Sequence, residues 1–299
     1  LAASLTGGRP GSMRRSSSTA ARALRPSASR PRWSRALVAP ALLLIAFAIL
    51  YPLATSVWQS ITLREEGTNA YAWVFGNSVY LKIIWRTITT GLFVAAICLA
   101  AGYPLAYLIS SSGPRVAAVL MVFTILPFWT SLLVRVFAWL ILFQPHGIAD
   151  NALGLCGFDG VLLGTRWAPT IAMAQLLLPF MVLPLVASMR GIDKGLVRAA
   201  ESLGASPFRA FRSIFLPLSM PGVVAGSLIV FIMSLGFYLA PALLGSPSSS
   251  LLAQARLQQV GSLLNFGRGG ALATLLLVVT FGVLGTALAV RRVLSGGRP

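Results

Sequence analysis

Side chains that could do chemistry are scarce in this chain, and their positions limit what they can do. The six acids, Glu65, Glu66, Asp150, Asp159, Asp193 and Glu201, all fall in polar connectors between apolar blocks. His146 is the only histidine and sits between Pro145 and Gly147, where it reads as a loop residue. Cys98 lies inside an apolar block and Cys156 in a connector, and these different depths argue against a disulfide. No cluster has metal-ligand spacing, and no serine has the setting of a nucleophile. The GxxxxGK[ST] loop that cradles ATP phosphates is absent. The expectation is a non-catalytic chain that binds no metal and no cofactor itself. Three side chains within apolar blocks could still act on a solute. Arg135 is the one charge inside such a block; it either snorkels to the outer surface or faces a pathway or a second subunit. Facing a pathway, it would repel a cationic solute. Phe237 and Tyr238, in the GFYLAP stretch beside Pro241, either pack between helices or offer ring faces to an amine.

The elements that carry these residues follow from composition. Hydrophobic residues make up 57% of the 299 positions and charged residues only 10%, with a mean hydropathy of +0.82. About 20 apolar residues cross a bilayer core of about 30 Å as a helix. Six blocks meet that length: Leu37 to Trp58, Thr87 to Ile109, Val116 to Leu142, Thr170 to Met189, Leu218 to Leu244, and Ala271 to Val290. The runs are continuous rather than alternating, so the expected fold is an all-α membrane protein with six transmembrane helices and not a barrel. Pro52, Pro104, Pro127, Pro179, Pro184, Pro221 and Pro241 lie in these blocks, where each removes a backbone hydrogen bond and favours a kink.

The net charge of +18 is not spread evenly. Lys and Arg number eight before Ala36, one between the second and third blocks (Arg115), five from Arg190 to Arg212, and three at the C-terminus. The opposite connectors hold Arg64, Lys82, Arg86, Arg166, Arg256 and Arg268. Cationic connectors stay in the cytoplasm, which places both termini and the 190–217 loop inside. Topology thus accounts for the charge without any nucleic-acid partner. Residues 1–35, rich in Ser, Ala, Pro and Arg, are expected to form a disordered basic cytoplasmic tail that meets anionic lipid. The chain opens on Leu, and Met13 is a candidate start. Arg14-Arg15 precede a block too long, and without a small-residue cleavage site, for an export signal. A six-helix domain spans 36–292, and 293–299 form a cytoplasmic tail. Two outer connectors are long: Gln144 to Trp167, with a mildly apolar stretch from Ile148 to Leu155, and Gly245 to Gly270, with a helix-compatible run from Leu251 to Leu264.

The cytoplasmic loop has an ordered sequence, RAAESLGASPFRAFRSIFLP from Arg198 to Pro217. Leu196 to Leu203 favour a helix, and Ala199 and Ala200 give it a small, approachable face. Gly204 is suited to end that helix in the left-handed conformation. Ser206 then caps a second helix with Pro207 at its first position. Phe208 and Phe211 are spaced to share a face beside Arg209 and Arg212. Leu216-Pro217 returns the chain to the membrane. The expectation is a helix–turn–helix lying across the bilayer surface, with aromatic and cationic groups offered to a partner.

This loop resembles the EAA loop of ABC importer permeases: Glu-Ala-Ala, three residues, Gly, nine residues, then Ile-x-Leu-Pro. Ala199, Ala200, Gly204, Ile214, Leu216 and Pro217 occupy matching positions, whereas Arg198 stands where the family has Glu. Glu201, one turn on, offers a carboxylate on a nearby face. The flanking LLLPFMVLPLVASMRGID and PGVVAGSLIVFIMSLGFYLAPALLG are similar to the spermidine/putrescine branch of these permeases. The resemblance, over about Ala36 to Arg292, implies the type I ABC importer permease fold in a bacterial inner membrane. It also implies a second homologous permease, two ATPase copies carrying ATP and Mg, and an extracytoplasmic solute-binding protein. The loop would be the coupling helix, and the solute a polyamine or a related small polar molecule. Two other classes stand beside this one. A self-sufficient secondary transporter usually keeps an ionisable group in its spans, and here all six acids lie outside them. A membrane scaffold would have no solute-dependent ATPase.

Overall fold

A computed structural model describes residues 32–63, 69–145, 147–148, 151 and 161–295. The tail before residue 32, the acids Glu65, Glu66, Asp150 and Asp159, His146, Cys156, most of the Ile148–Leu155 stretch and the last four residues lie outside the described residues. The α-helices among the described residues are α1 (Arg32–Thr62), α2 (Ala70–Gly76), α3 (Ser78–Ser111), α4 (Pro114–Ile125), α5 (Leu132–Leu142), α6 (Trp167–Arg190), α7 (Lys194–Ser202), α8 (Pro207–Ala210), α9 (Leu216–Leu235), α10 (Leu239–Leu244), α11 (Leu252–Gly261) and α12 (Phe266–Ser295). Five segments of the described residues are long and apolar enough to cross a membrane: Pro40–Thr62, Ser78–Ser111, Trp167–Arg190, Pro207–Leu235 and Phe266–Thr286. A bent pair, Pro114–Trp129 with Leu132–Leu142, brings the number to six when taken as one span. The architecture is an all-α, multi-pass membrane protein.

The chain divides at Tyr51 into two units. In the first, Leu42, Leu43, Leu44, Phe47 and Leu50 are exposed, and the Phe47 and Tyr51 rings stack at 5.3 Å. An apolar face of this kind has no place in water, which fits a helix immersed in lipid or against another membrane helix.

The second unit is built around α6, the most buried of the spans. Its Ala, Leu, Met and Val side chains meet α3 on one side and α9 on the other. Close approach to α9 depends on small residues one turn apart, Gly222 and Gly226. A Cβ at Gly222 would lie 2.6 Å from the Ser188 Cβ and 2.9 Å from the Pro184 carbonyl oxygen. One at Gly226 would lie 2.8 Å from the Met181 sulfur. Polar side chains tie the spans at intervals. Tyr103 and Ser219 join α3 to α9 at 2.9 Å, and the Trp139 indole N–H of α5 donates to Gln175 Oε1 of α6 at 3.3 Å. A smaller apolar cluster at the opposite end from the 190–217 loop packs Ala70 and Val74 of α2 and Ile83 of α3 with Leu252, Ala255, Ala271 and Leu272. There the Leu252 N–H donates to Thr87 Oγ1 at 2.9 Å.

Two of the expected spans are not single helices. The third breaks after the 3₁₀ turn Leu126–Trp129, and α5 leaves at 95° to α4. Pro127 has no N–H to continue the α4 ladder, and Thr130 closes the turn by donating its hydroxyl to the Pro127 carbonyl at 2.7 Å. Thr130 and Ser131 are extended, so the chain changes direction there. Pro104, Pro179, Pro184 and Pro221, by contrast, sit inside uninterrupted helices. The fifth span starts earlier and ends earlier than expected. It is continuous from Pro207 to Leu235, stops at Gly236, and resumes as the short α10. The helix expected over Leu251 to Leu264 is α11, and the Ser-rich run before it forms a 3₁₀ turn over Pro247–Ser249.

Candidate functional site

The 190–217 loop is built from local signals. The Asp193 carboxylate accepts from the Gly195 N–H at 2.8 Å and starts α7. α7 ends in a Schellman motif: Ala205 N–H donates to the Ala200 carbonyl at 3.1 Å and Gly204 N–H to the Glu201 carbonyl at 3.0 Å. Gly204 has φ +89°, where a side chain is strained, yet a Cβ there would meet nothing within 4 Å. Ser206 Oγ then accepts from the Arg209 N–H at 3.3 Å, with Pro207 at the first helical position of α8. The structure thus brings Arg198, Ala199, Ala200, Glu201, Gly204, Ser206, Pro207, Ile214, Leu216 and Pro217 into one hairpin. Arg198, Ala199 and Glu201 are exposed on it, whereas Ile214 and Leu216 are half-buried where the hairpin meets the bundle. The hairpin's outward apolar groups are Leu196, Leu203 and Phe208, at 49%, 89% and 73% exposure. An apolar patch held out by a capped, rigid turn marks a contact surface rather than a solvated loop.

The second half of the hairpin differs from its expected form. It does not lie as a separate surface helix; α8 runs without a break into α9 through a π-turn, Phe211–Phe215. The Leu216 N–H reaches back five residues to the Phe211 carbonyl. Pro217 explains the slip, because it has no N–H and its ring crowds the carbonyl four residues earlier. Phe211 is half-buried against the bundle, so it does not share a free face with Phe208. Phe211 and Phe215 stack at 5.6 Å, and Tyr107 of α3 meets both edge-on at 5.6 and 5.2 Å. Tyr103 adds a second edge contact to Phe211 at 6.3 Å. Four rings therefore bind the base of the hairpin to the end of α3.

At the far end of α9, a cavity of about 820 Å³ lies between α1 from Pro52 onward, the end of α9, α11 and α12. Its walls are largely aliphatic, with Tyr238, Arg256 and the hydroxyls of Ser56, Thr274 and Thr280 as polar points. The three intramembrane candidates are not brought together. Tyr238 lines the cavity, Phe237 packs against the main core, and Arg135 is half-buried on α5 with its Nε enclosed and without a hydrogen-bond partner. In the sequence Arg256 is only one of several outer cations. The available signal is its place in a short helix after a Ser-rich turn, folded back toward a broken span. Cys98 is buried and donates to the Ala174 carbonyl at 3.1 Å, a packing role. Among the described residues, no three His, Cys, Asp or Glu side chains are grouped to hold a metal ion.

Known proteins share this arrangement. Residues 99–291 match the family model described as binding-protein-dependent transport system inner membrane component. The spermidine/putrescine transport system permease protein PotB of Haemophilus influenzae is 34% identical over 194 residues, covering 61% of this chain and 68% of the relative. PotB of Escherichia coli is 30% identical over 206 residues, covering 68% and 75%. A sulfoquinovosyl glycerol transport system permease protein, SmoG of Agrobacterium fabrum, is 27% identical and covers 88% of this chain and 94% of its own. The fold matches a bacterial ABC transporter that imports the acidic polysaccharide alginate, with a TM-score of 0.65 at 16% identity over 87% of this chain and 95% of that one. With more than half its length inside the family model, the chain belongs to the binding-protein-dependent transport system inner membrane components, the multi-pass permease subunits of ABC importers.

Proposed function

We propose that this chain couples ATP hydrolysis on a separate subunit to the passage of a small polar solute, with the 190–217 hairpin as the coupling element. The observation that carries the reading is the hairpin itself. A capped turn holds Leu196, Leu203 and Phe208 outward, while four rings fix its base to α3 and its second helix continues as α9. A push on the patch reaches the bundle with no flexible joint between. The membrane domain is 36–292, with both termini and the hairpin cytoplasmic, in keeping with the cationic tally of those connectors. A second permease, two ATPase copies and an extracytoplasmic binding protein complete the importer, and the exposed apolar α1 gives a surface for the second permease or for lipid. ATP closing the ATPase pair would move both hairpins and rock the spans between inward- and outward-open states. Relatives named for spermidine and putrescine make an amine-bearing solute of that kind the first substrate class to test. To Tyr238, which lines the cavity, we assign contact with the solute, and to Arg135, which does not line it, a contact with a second subunit.

Cross-linking tests the proposal. In a chain with Cys156 replaced by Ser, Leu203→Cys should cross-link to the ATPase subunit and resist impermeant thiol reagents added from outside. Labelling of that cysteine from the outer face, or failure to reach any nucleotide-binding subunit, rejects it.

A further inference from the structure

Among the described residues, the charged group lining the cavity at the end of α9 is a cation. Arg256 and Tyr238 both line it, and no carboxylate is among its described walls. The described acids, Asp193 and Glu201, lie in the hairpin at the other end of α9, a helix of 20 residues and so about 30 Å long. A polycation entering the cavity would meet the like charge of the Arg256 guanidinium. The same guanidinium is a forked donor suited to a carboxylate. The Tyr238 ring, 39% exposed, offers a face to an ammonium group. We infer that this cavity receives an amino-carboxylate, a small solute with an ammonium end for Tyr238 and a carboxylate end for Arg256. Its volume of about 820 Å³ suits a small molecule with part of its hydration. Ser56, Thr274 and Thr280 supply hydroxyls for the polar groups between the two ends. The inference rests on the chain being an importer permease and narrows the solute from any amine to one that also bears an anionic group.

A matched pair of four-carbon probes reads the difference: putrescine, with an amine at both ends, and 4-aminobutanoate, with one terminal aminomethyl group replaced by a carboxylate. Their binding is measured by calorimetry on the purified permease–ATPase complex without its binding protein, so that the selectivity of that protein is not read. The expected result is at least tenfold tighter binding of 4-aminobutanoate. Arg256→Gln should remove that preference, Arg256→Glu should reverse it, and Tyr238→Leu should weaken both probes. Retained ATPase subunits and an unchanged melting temperature show that the variants are assembled. Tighter binding of putrescine, a preference that Arg256→Glu leaves unchanged, or no binding of either probe at millimolar concentration overturns the inference. Each of these outcomes leaves the hairpin cross-link intact, whereas failure of the importer reading would appear first as loss of that cross-link.

Discussion

Gly204 offers a graded test of whether the hairpin's backbone geometry, rather than its surface, matters for coupling. Its φ of +89° is accessible to glycine and costly to other residues, yet the space around it is open. Substitution therefore perturbs conformation without a clash. An L-residue held in the left-handed region costs about 1–2 kcal/mol, and β-branching puts valine nearer 2–3 kcal/mol. Asparagine, which tolerates this region, costs only a few tenths of a kcal/mol. At about 1.4 kcal/mol per tenfold, Gly204→Val should lower the ratio of native to alternative hairpins roughly 30- to 150-fold, and Gly204→Ala roughly 5- to 30-fold. The assay is the ATPase retained per permease on affinity purification, together with solute-dependent uptake in proteoliposomes. Both should decline in the order Asn, Ala, Val, while membrane insertion stays constant. If Asn were as damaging as Val, added bulk at the contact surface would be the cause and the backbone argument would fail. If Val were harmless, the hairpin turn would have no part in coupling.

Other substitutions probe the surrounding structure. Phe208→Ala should weaken ATPase association and leave bundle stability unchanged. Phe211→Ala, which removes edge contacts to Tyr103 and Tyr107, should keep the ATPase bound but reduce solute-stimulated hydrolysis; equal effects from the two would contradict their opposite placement. Gly222→Ala forces a methyl group against Ser188 and Pro184 and should destabilise the complex by about 1–3 kcal/mol, read as a lower melting temperature in detergent. Gly236→Ala, where a Cβ meets nothing within 4 Å, is the matched control. Thr87→Val strands the buried Leu252 N–H and should cost about 1–3 kcal/mol, whereas Thr87→Ser keeps the acceptor and stays near the parent stability.

Hydropathy locates the membrane spans because length and apolarity are scalar properties of a segment. Direction is not, and so the 95° turn between α4 and α5 hides inside an apolar run that never loses hydrophobicity. Pro127 is one of several span prolines with the same nominal effect. Its helix breaks where Thr130 and Ser131 leave helical backbone, while Pro104 and Pro184 sit inside uninterrupted helices. The hairpin is more legible, since Gly204, Ser206 and Pro207 each act on their own backbone. Phe211 misleads for the opposite reason. A uniform helical period puts it beside Phe208, but Tyr103 and Tyr107 cover it, and the π-turn shifts the register only of the helix beyond it. The cavity is hidden because one wall, residues 52–57, lies far in the chain from the others, between residues 232 and 281, and a single arginine in a short helix carries no mark of what it faces.

The unbroken stretch from Pro207 to Leu235 has a mechanical consequence. Twenty-nine helical residues make a lever arm of about 43 Å, stiff enough to convert a tilt of ~5° about its middle into ~2 Å of travel at each tip. One tip carries Phe208 and the other reaches Ile232 at the cavity wall. Winding the π-turn back to regular pitch would lengthen the helix by about one residue's rise, ~1.5 Å, and swing every side chain beyond it by about 100°. A single helix thus holds two separate gears, tilt and twist, by which a force at one surface could open or close a space at the other.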